Sequence, residues 1–94
     1  MSLTPVLNPT AYAVFGTSAT PYQAKAAVRG IFVSTATGAT IAIFDGTGTG
    51  VTMVPTFNAT SATWYPLGDM IAGSAINIVT AGTMSASLAF IPIT

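Results

Sequence analysis

The sequence predicts an all-β protein: a small antiparallel β-sandwich, jelly-roll-like, of about seven to eight short strands with an extended N-terminal arm. Three observations carry that prediction. Runs of β-branched and aromatic residues recur every 8 to 12 residues or so, with Gly, Pro, Asn or Asp between them. Met84 to Ile91 alternates, with Met84, Ala86, Leu88 and Phe90 on one face and Ser85, Ser87, Ala89 and Ile91 on the other. The only run of helix formers, Tyr22 to Ala27, is too short to stand as a helix.

The organisation is one domain, residues 22–94, preceded by an arm over residues 1–21. The arm holds Pro5, Pro9 and Pro21, with Pro5-Val6-Leu7 extended and Ala11 to Phe15 a short strand ended by Gly16. Tyr22 begins a strand that runs through Val33 and places Lys25 and Arg29 on one face. Ala36-Thr37-Gly38 reads as the tight turn of a hairpin, and Thr40 to Phe44 as its return strand, closed by Asp45-Gly46. Gly46 to Gly50 is a loop. Val51 to Phe57 carries Pro55, which breaks ladder bonding and marks a kinked edge strand. Asn58 to Ala62 is a polar turn, Thr63 to Leu67 a strand, and Gly68-Asp69 a further turn. Ala75 to Thr80 and Met84 to Ile91 form a last hairpin about Ala81-Gly82-Thr83.

Composition narrows the function. Only 4% of the residues are charged, against about 25% in an ordinary soluble domain, while 51% are hydrophobic. A chain of 94 residues has a marginal core, and with no Cys and no His it lacks disulfides and a ready structural metal site. Association with other subunits is the remaining source of stability. Net charge is zero, so no field draws in nucleic acid, and no self-repulsion holds copies apart. No run approaches the 18 or so apolar residues of a spanning helix, and these strands are short for a membrane barrel. Met1-Ser2-Leu3-Thr4-Pro5 has no basic segment leading into an apolar one, so no secretory signal is expected.

Catalysis finds little to work with. Asp45 and Asp69 are the only carboxylates, each beside Gly in a turn context, where Asp commonly bonds its own backbone. Gly46-Thr47-Gly48-Thr49-Gly50 has the wrong spacing for a phosphate loop and leads into a strand instead of a helix. Calcium on Asp45 and loop carbonyls would have one carboxylate for a cage. No enzyme, cofactor or metal is expected. Lys25 and Arg29 are too few for a nucleic-acid patch, and a pairing of one of them with Asp45 or Asp69 across a subunit interface suits so apolar a chain. Trp64, Tyr65, Phe57 and Tyr12 suit a core, a protein interface or a sugar platform.

The stretch GIFVSTATGATIAIFDGTGTG, followed by WYPLGDMIAG and INIVTAGTMSASL, resembles the small all-β decoration (cement) proteins of tailed bacteriophage capsids. The shared pattern is a strand, a small-residue turn, an apolar strand ending in Asp-Gly-Thr, a Pro-Leu-Gly element and a final hairpin around Thr-Ala-Gly-Thr, over about Val28 to Ile93. The resemblance implies a non-enzymatic structural virion protein, often a trimer. It would sit on the outer capsid surface where major-capsid subunits meet and hold the shell against packaged DNA. Its partners would be further copies of itself and the major capsid protein, with neither nucleic acid nor membrane. The residues assigned to assembly are Val6, Leu7, Tyr12 and Phe15 of the arm, Lys25, Arg29 and Asp45, and Phe32, Phe44, Trp64 and Tyr65 on faces outside the core. Two other readings stand beside it: a phage surface module that binds a host glycan through Trp64 and Tyr65, and a ring-forming tail or adaptor component.

Overall fold

A computed structural model describes residues 9–93. Among them lie six strands and no helix: β1 (Ala11–Phe15), β2 (Ala19–Tyr22), β3 (Ala26–Asp45), β4 (Val51–Asn58), β5 (Thr63–Ala72) and β6 (Ile76–Pro92). No helix among them is long and apolar enough to cross a membrane. Val6 and Leu7 fall outside the described residues.

All six strands belong to one antiparallel sheet. β3 and β6 are its axis, paired from Ala26 opposite Pro92 to Asp45 opposite Ile76. Each half of that ladder is flanked on both sides. β1 lies along the C-terminal half of β6 and β5 along the N-terminal half of β3, giving the order β1-β6-β3-β5. β2 and β4 flank the other half, giving β2-β6-β3-β4. β1 and β2 are therefore part of the sheet.

The expected seven to eight short strands are six because three glycine-bearing segments do not reverse the chain. Ala36-Thr37-Gly38 lies within β3, Gly68-Asp69 within β5 and Ala81-Gly82-Thr83 within β6. Gly38, Gly68 and Gly82 do have positive φ, at 58°, 65° and 80°, but Gly38 and Gly68 lie in bulges of β3 and β5, and Gly82 faces the Gly38 bulge from the opposite strand. Gly46, at φ 102°, does follow the end of a strand, as expected for Asp45-Gly46. A second correction falls at Gln23-Ala24-Lys25, which separates β2 from β3, so no continuous strand runs from Tyr22 to Val33.

β3 has 20 residues and β6 has 17. The surplus of three is absorbed at three register shifts, between Val28 and Gly30, Val33 and Thr35, and Thr37 and Thr40. Bulges bend a strand and increase its twist, and the cumulative bend is large. Gly73 follows directly on Ala72, which pairs with Ala26 at the start of β3; yet its N–H donates to Asp45 at the end of β3. A straight strand of this length would hold those ends roughly 60 Å apart. Likewise Tyr22, paired with Ile76, brings its ring centroid within 5.0 Å of Phe90, fourteen positions further along β6.

The sheet encloses one core. Ile31 and Val33 from the first half of β3, Ile41 and Ile43 from the second, and Ile76, Ile78 and Leu88 from β6 are each fully enclosed. Burial of such side chains stabilises by about 1.5–3 kcal/mol each. Met84, Ala86, Leu88 and Phe90 share the buried face, as their alternation predicts. β4 pairs with β3 alone, and three positions of β4 (Phe57 to Val54) span two of β3 (Ile41 to Ile43), which is the edge-strand kink expected at Pro55.

Candidate functional site: an aromatic face with an ion pair

Two bulges on neighbouring strands bring the site together. β3 places Val28 and Gly30 opposite the adjacent residues Phe90 and Ala89 of β6, so Arg29 is an extra residue, turned out to solvent beside Gly30. On the other side of β3, the same two residues face Met70 and Pro66 of β5, and Leu67-Gly68-Asp69 is accommodated as a larger bulge. Asp69 sits at φ 57°, a conformation that Asp tolerates better than most residues. The two irregularities meet. Arg29 Nε donates to Asp69 Oδ1 at 3.2 Å, and Arg29 Nη1 donates to Thr10 Oγ1 at 3.3 Å. Both side chains are about half exposed, so the pair contributes at most about 1 kcal/mol.

Next to this pair the sheet presents apolar side chains to solvent. Directly paired residues project to the same face, and the register gives two adjacent rows pointing away from the core. One runs Tyr12, Ala89, Gly30, Pro66; the other runs Val14, Ser87, Phe32, Trp64. Tyr12 is 71% exposed, Val14 80%, Phe32 42% and Trp64 48%. The indole of Trp64 lies over Gly30, where a Cβ would stand 2.5 Å from two of its ring carbons. The bare glycine thus fixes the ring against the sheet. Tyr12 and Trp64 wall an open cleft of about 520 Å³ that includes Ala89 and is bounded by Arg29, Asp69 and Thr10.

Of the residues assigned to assembly, four share this face: Tyr12, Arg29, Phe32 and Trp64. The other described ones lie elsewhere. Phe15 is 5% exposed and belongs to the core, because alternation along β1 turns Ala13 and Phe15 inward when Tyr12 and Val14 point out. Tyr65 pairs with Ile31 and packs against the core, its ring 4.9 Å from Phe57. Its hydroxyl accepts from the Thr60 N–H at 2.8 Å and donates to the Asn58 carbonyl at 3.4 Å. Tyr65 therefore does not join Trp64 on the solvent side. Phe44 is half-buried on the outer side of the other half of the sheet, between Asn77 and Thr52. Lys25 is exposed ahead of β3, its carbonyl accepting the Ile93 N–H at 3.0 Å.

Asp45 has a local role. Its carboxylate accepts from the N–H groups of Gly73 and Ser74, both at 2.9 Å, and from that of Ala75 at 3.5 Å. The Gly73 bond first, then that of Ser74, holds its carboxyl below the usual carboxylate range. With both oxygens bonded to amides, Asp45 has little left for a calcium ion. Among the described residues no three metal-ligating side chains cluster.

Val14 is the member of the face that the sequence did not single out, and Asp69, expected to meet Lys25 or Arg29 across a subunit interface, meets Arg29 within the chain instead. Val14 follows from the period of two along Ala11 to Phe15; Asp69 required knowing that Gly68-Asp69 bulges and does not turn. Chemically the face suits binding: a rigid indole, a second ring, and one neutralised ion pair with unspent donors and an unspent acceptor. Comparison with protein-family models, with curated proteins and with solved structures finds no match to this chain.

Proposed function

We propose that this chain is a non-enzymatic structural virion protein, a capsid decoration protein that associates with itself and binds the outer capsid surface. The observation that carries the reading is the outward row Val14-Ser87-Phe32-Trp64 with Tyr12 beside it, on a chain with four charged side chains in all. A contiguous apolar face of this kind is ordinarily covered by a partner. The pattern shared with phage cement proteins agrees, and many weak contacts of a small subunit sum over a lattice. In this reading the doubled ladder closes as a small jelly-roll-like sandwich, supported by the meeting of Asp45 with Gly73 and of Tyr22 with Phe90. The test is co-sedimentation with undecorated phage shells, together with the solution mass by light scattering. Saturable binding and a mass above 9.5 kDa are expected; a monomer that ignores shells overturns the reading.

A second reading, recognition of a host glycan, is favoured by Trp64 packed over Gly30 beside the Arg29–Asp69 pair. An indole face takes up the apolar side of a sugar ring while the ion pair bonds its hydroxyls. Glycan-array binding lost in Trp64→Ala, with shell stability unchanged, would select it.

A further inference from the structure

The face that carries the assembly reading also holds information about its partner, in the arrangement of its charges. Arg29 and Asp69 are half of the charged residues of the chain, and they lie side by side next to the Tyr12 row. Neither is fully used. The guanidinium has five N–H donors in a fixed fork, of which Nε is given to Asp69 Oδ1 and Nη1 to Thr10 Oγ1. Nη2 and Asp69 Oδ2 have no partner among the described residues. An apolar partner laid over this face would strip water from both and leave them unmatched, a cost of about 1–3 kcal/mol per group. The occupant must therefore bring an acceptor opposite Nη2 and a donor opposite Oδ2, set among apolar side chains.

We propose that the occupant is a second copy of this chain, related by a two-fold axis lying in the contact plane and crossing the Arg29–Asp69 line. This rests on the reading of the face as an assembly surface. Rotation about such an axis reverses the direction of the ion pair, so Arg29 of one copy meets Asp69 of the other and the four groups close into an Arg–Asp–Arg–Asp ring. Nη2 donates across to the partner's Asp69 Oδ2, and the reciprocal bond forms by symmetry. The same operation lays Phe32 of β3 and Trp64 of β5, the strands on either side of the axis, against the partner's Trp64 and the partner's Phe32. A face with one positive and one negative group, net neutral and otherwise apolar, is complementary to itself without any further feature.

The charge arrangement supplies the test. Arg29→Asp places two carboxylates on the face and Asp69→Arg two guanidinium groups; each variant repels itself, and an equimolar mixture of the two is complementary again. Light scattering of the wild type should rise from 9.5 kDa toward twice that value with concentration. The emission of Trp64, the one tryptophan, should shift to the blue in step. Each variant alone should stay at monomer mass, and their mixture should regain the dimer. Arg at the positive φ of position 69 is strained, so Phe32→Lys serves as the second variant: a side chain 42% exposed on the outer face of β3, beside the axis, accepts a lysine in the monomer, yet a lysine there should abolish the dimer. A wild type that stays monomeric or forms a trimer, a mixture that stays monomeric, or an unaffected Phe32→Lys would each overturn the two-fold contact. The decoration reading fails separately: a monomer that still saturates phage shells sinks the two-fold contact alone, and a dimer that ignores shells sinks decoration alone.

Discussion

Gly82 of β6 packs against the carbonyl of Gly38 in β3 at the middle of the central ladder, both residues with positive φ. A Cβ on Gly82 would strike the Gly38 carbonyl and the Ala39 Cα, whereas one on Gly38 would meet nothing within 4 Å. Gly82→Ala should therefore cost more than about 2 kcal/mol, combining backbone strain with a clash that only main-chain movement relieves. Gly38→Ala should cost about 1 kcal/mol, from φ alone. Urea midpoints of the two variants check this; equal losses would show that the close approach of the strands does not matter.

Gly30 is the counterpart under Trp64. A Cβ there would stand 2.5 Å from the indole and 2.6 Å from the Tyr65 carbonyl, and the second obstacle is backbone. Gly30→Ala should lower stability by roughly 2 kcal/mol and move Trp64 emission to the red as the ring is lifted from the sheet. Loss of stability without a spectral change would place the strain at Tyr65 and not at the ring.

Asp45 gives a pH dependence of known sign. Its carboxyl titrates below its ordinary value in the folded chain because Gly73 and Ser74 donate to the charged form. The stabilisation is therefore complete above the unfolded-chain value near 3.8 and is lost as pH falls through the lower folded value. Thermal melts from pH 6 down to pH 2 or so should show a decline that Asp45→Asn flattens. A wild-type and variant pair with parallel melting curves would argue against the lock between the end of β3 and the β5–β6 connection.

Tyr65 is tested by removing one atom. Tyr65→Phe keeps the ring against Phe57 but leaves the Thr60 N–H without its acceptor, so a loss of about 1 kcal/mol is expected. Trp64→Ala on the outer face should cost the monomer less than core truncations such as Ile31→Ala, for which about 2–5 kcal/mol is usual.

Much of the sheet was legible in the residues. The strand over Ala11 to Phe15, the buried side of Met84 to Phe90, the kinked edge at Pro55 and the strand end at Asp45-Gly46 all followed from period, proline and turn chemistry. What failed was one inference repeated at Gly38, Gly68 and Gly82. A glycine with positive φ beside small polar residues serves a hairpin turn and a bulge equally, and only the partner strand decides between them. Because the bulges were invisible, the pairing of Arg29 with Asp69, forty positions apart, was expected between subunits and not within the chain, and Tyr65 was placed on the solvent side with its neighbour Trp64.

The order of strands in the chain sets the timing of folding. β6 is the last of the six to be synthesised, yet β1, β2 and β3 all pair with it, and Ala26 must wait for Pro92, sixty-six positions later. Until then the twenty residues of β3 have at most β4 and β5 on one side and an unpaired apolar edge on the other. Such non-local pairing makes folding slow and leaves the nascent chain prone to sticking to its neighbours. Expression yield should therefore depend more on how quickly the C-terminal strand leaves the ribosome than on the stability of the finished sheet.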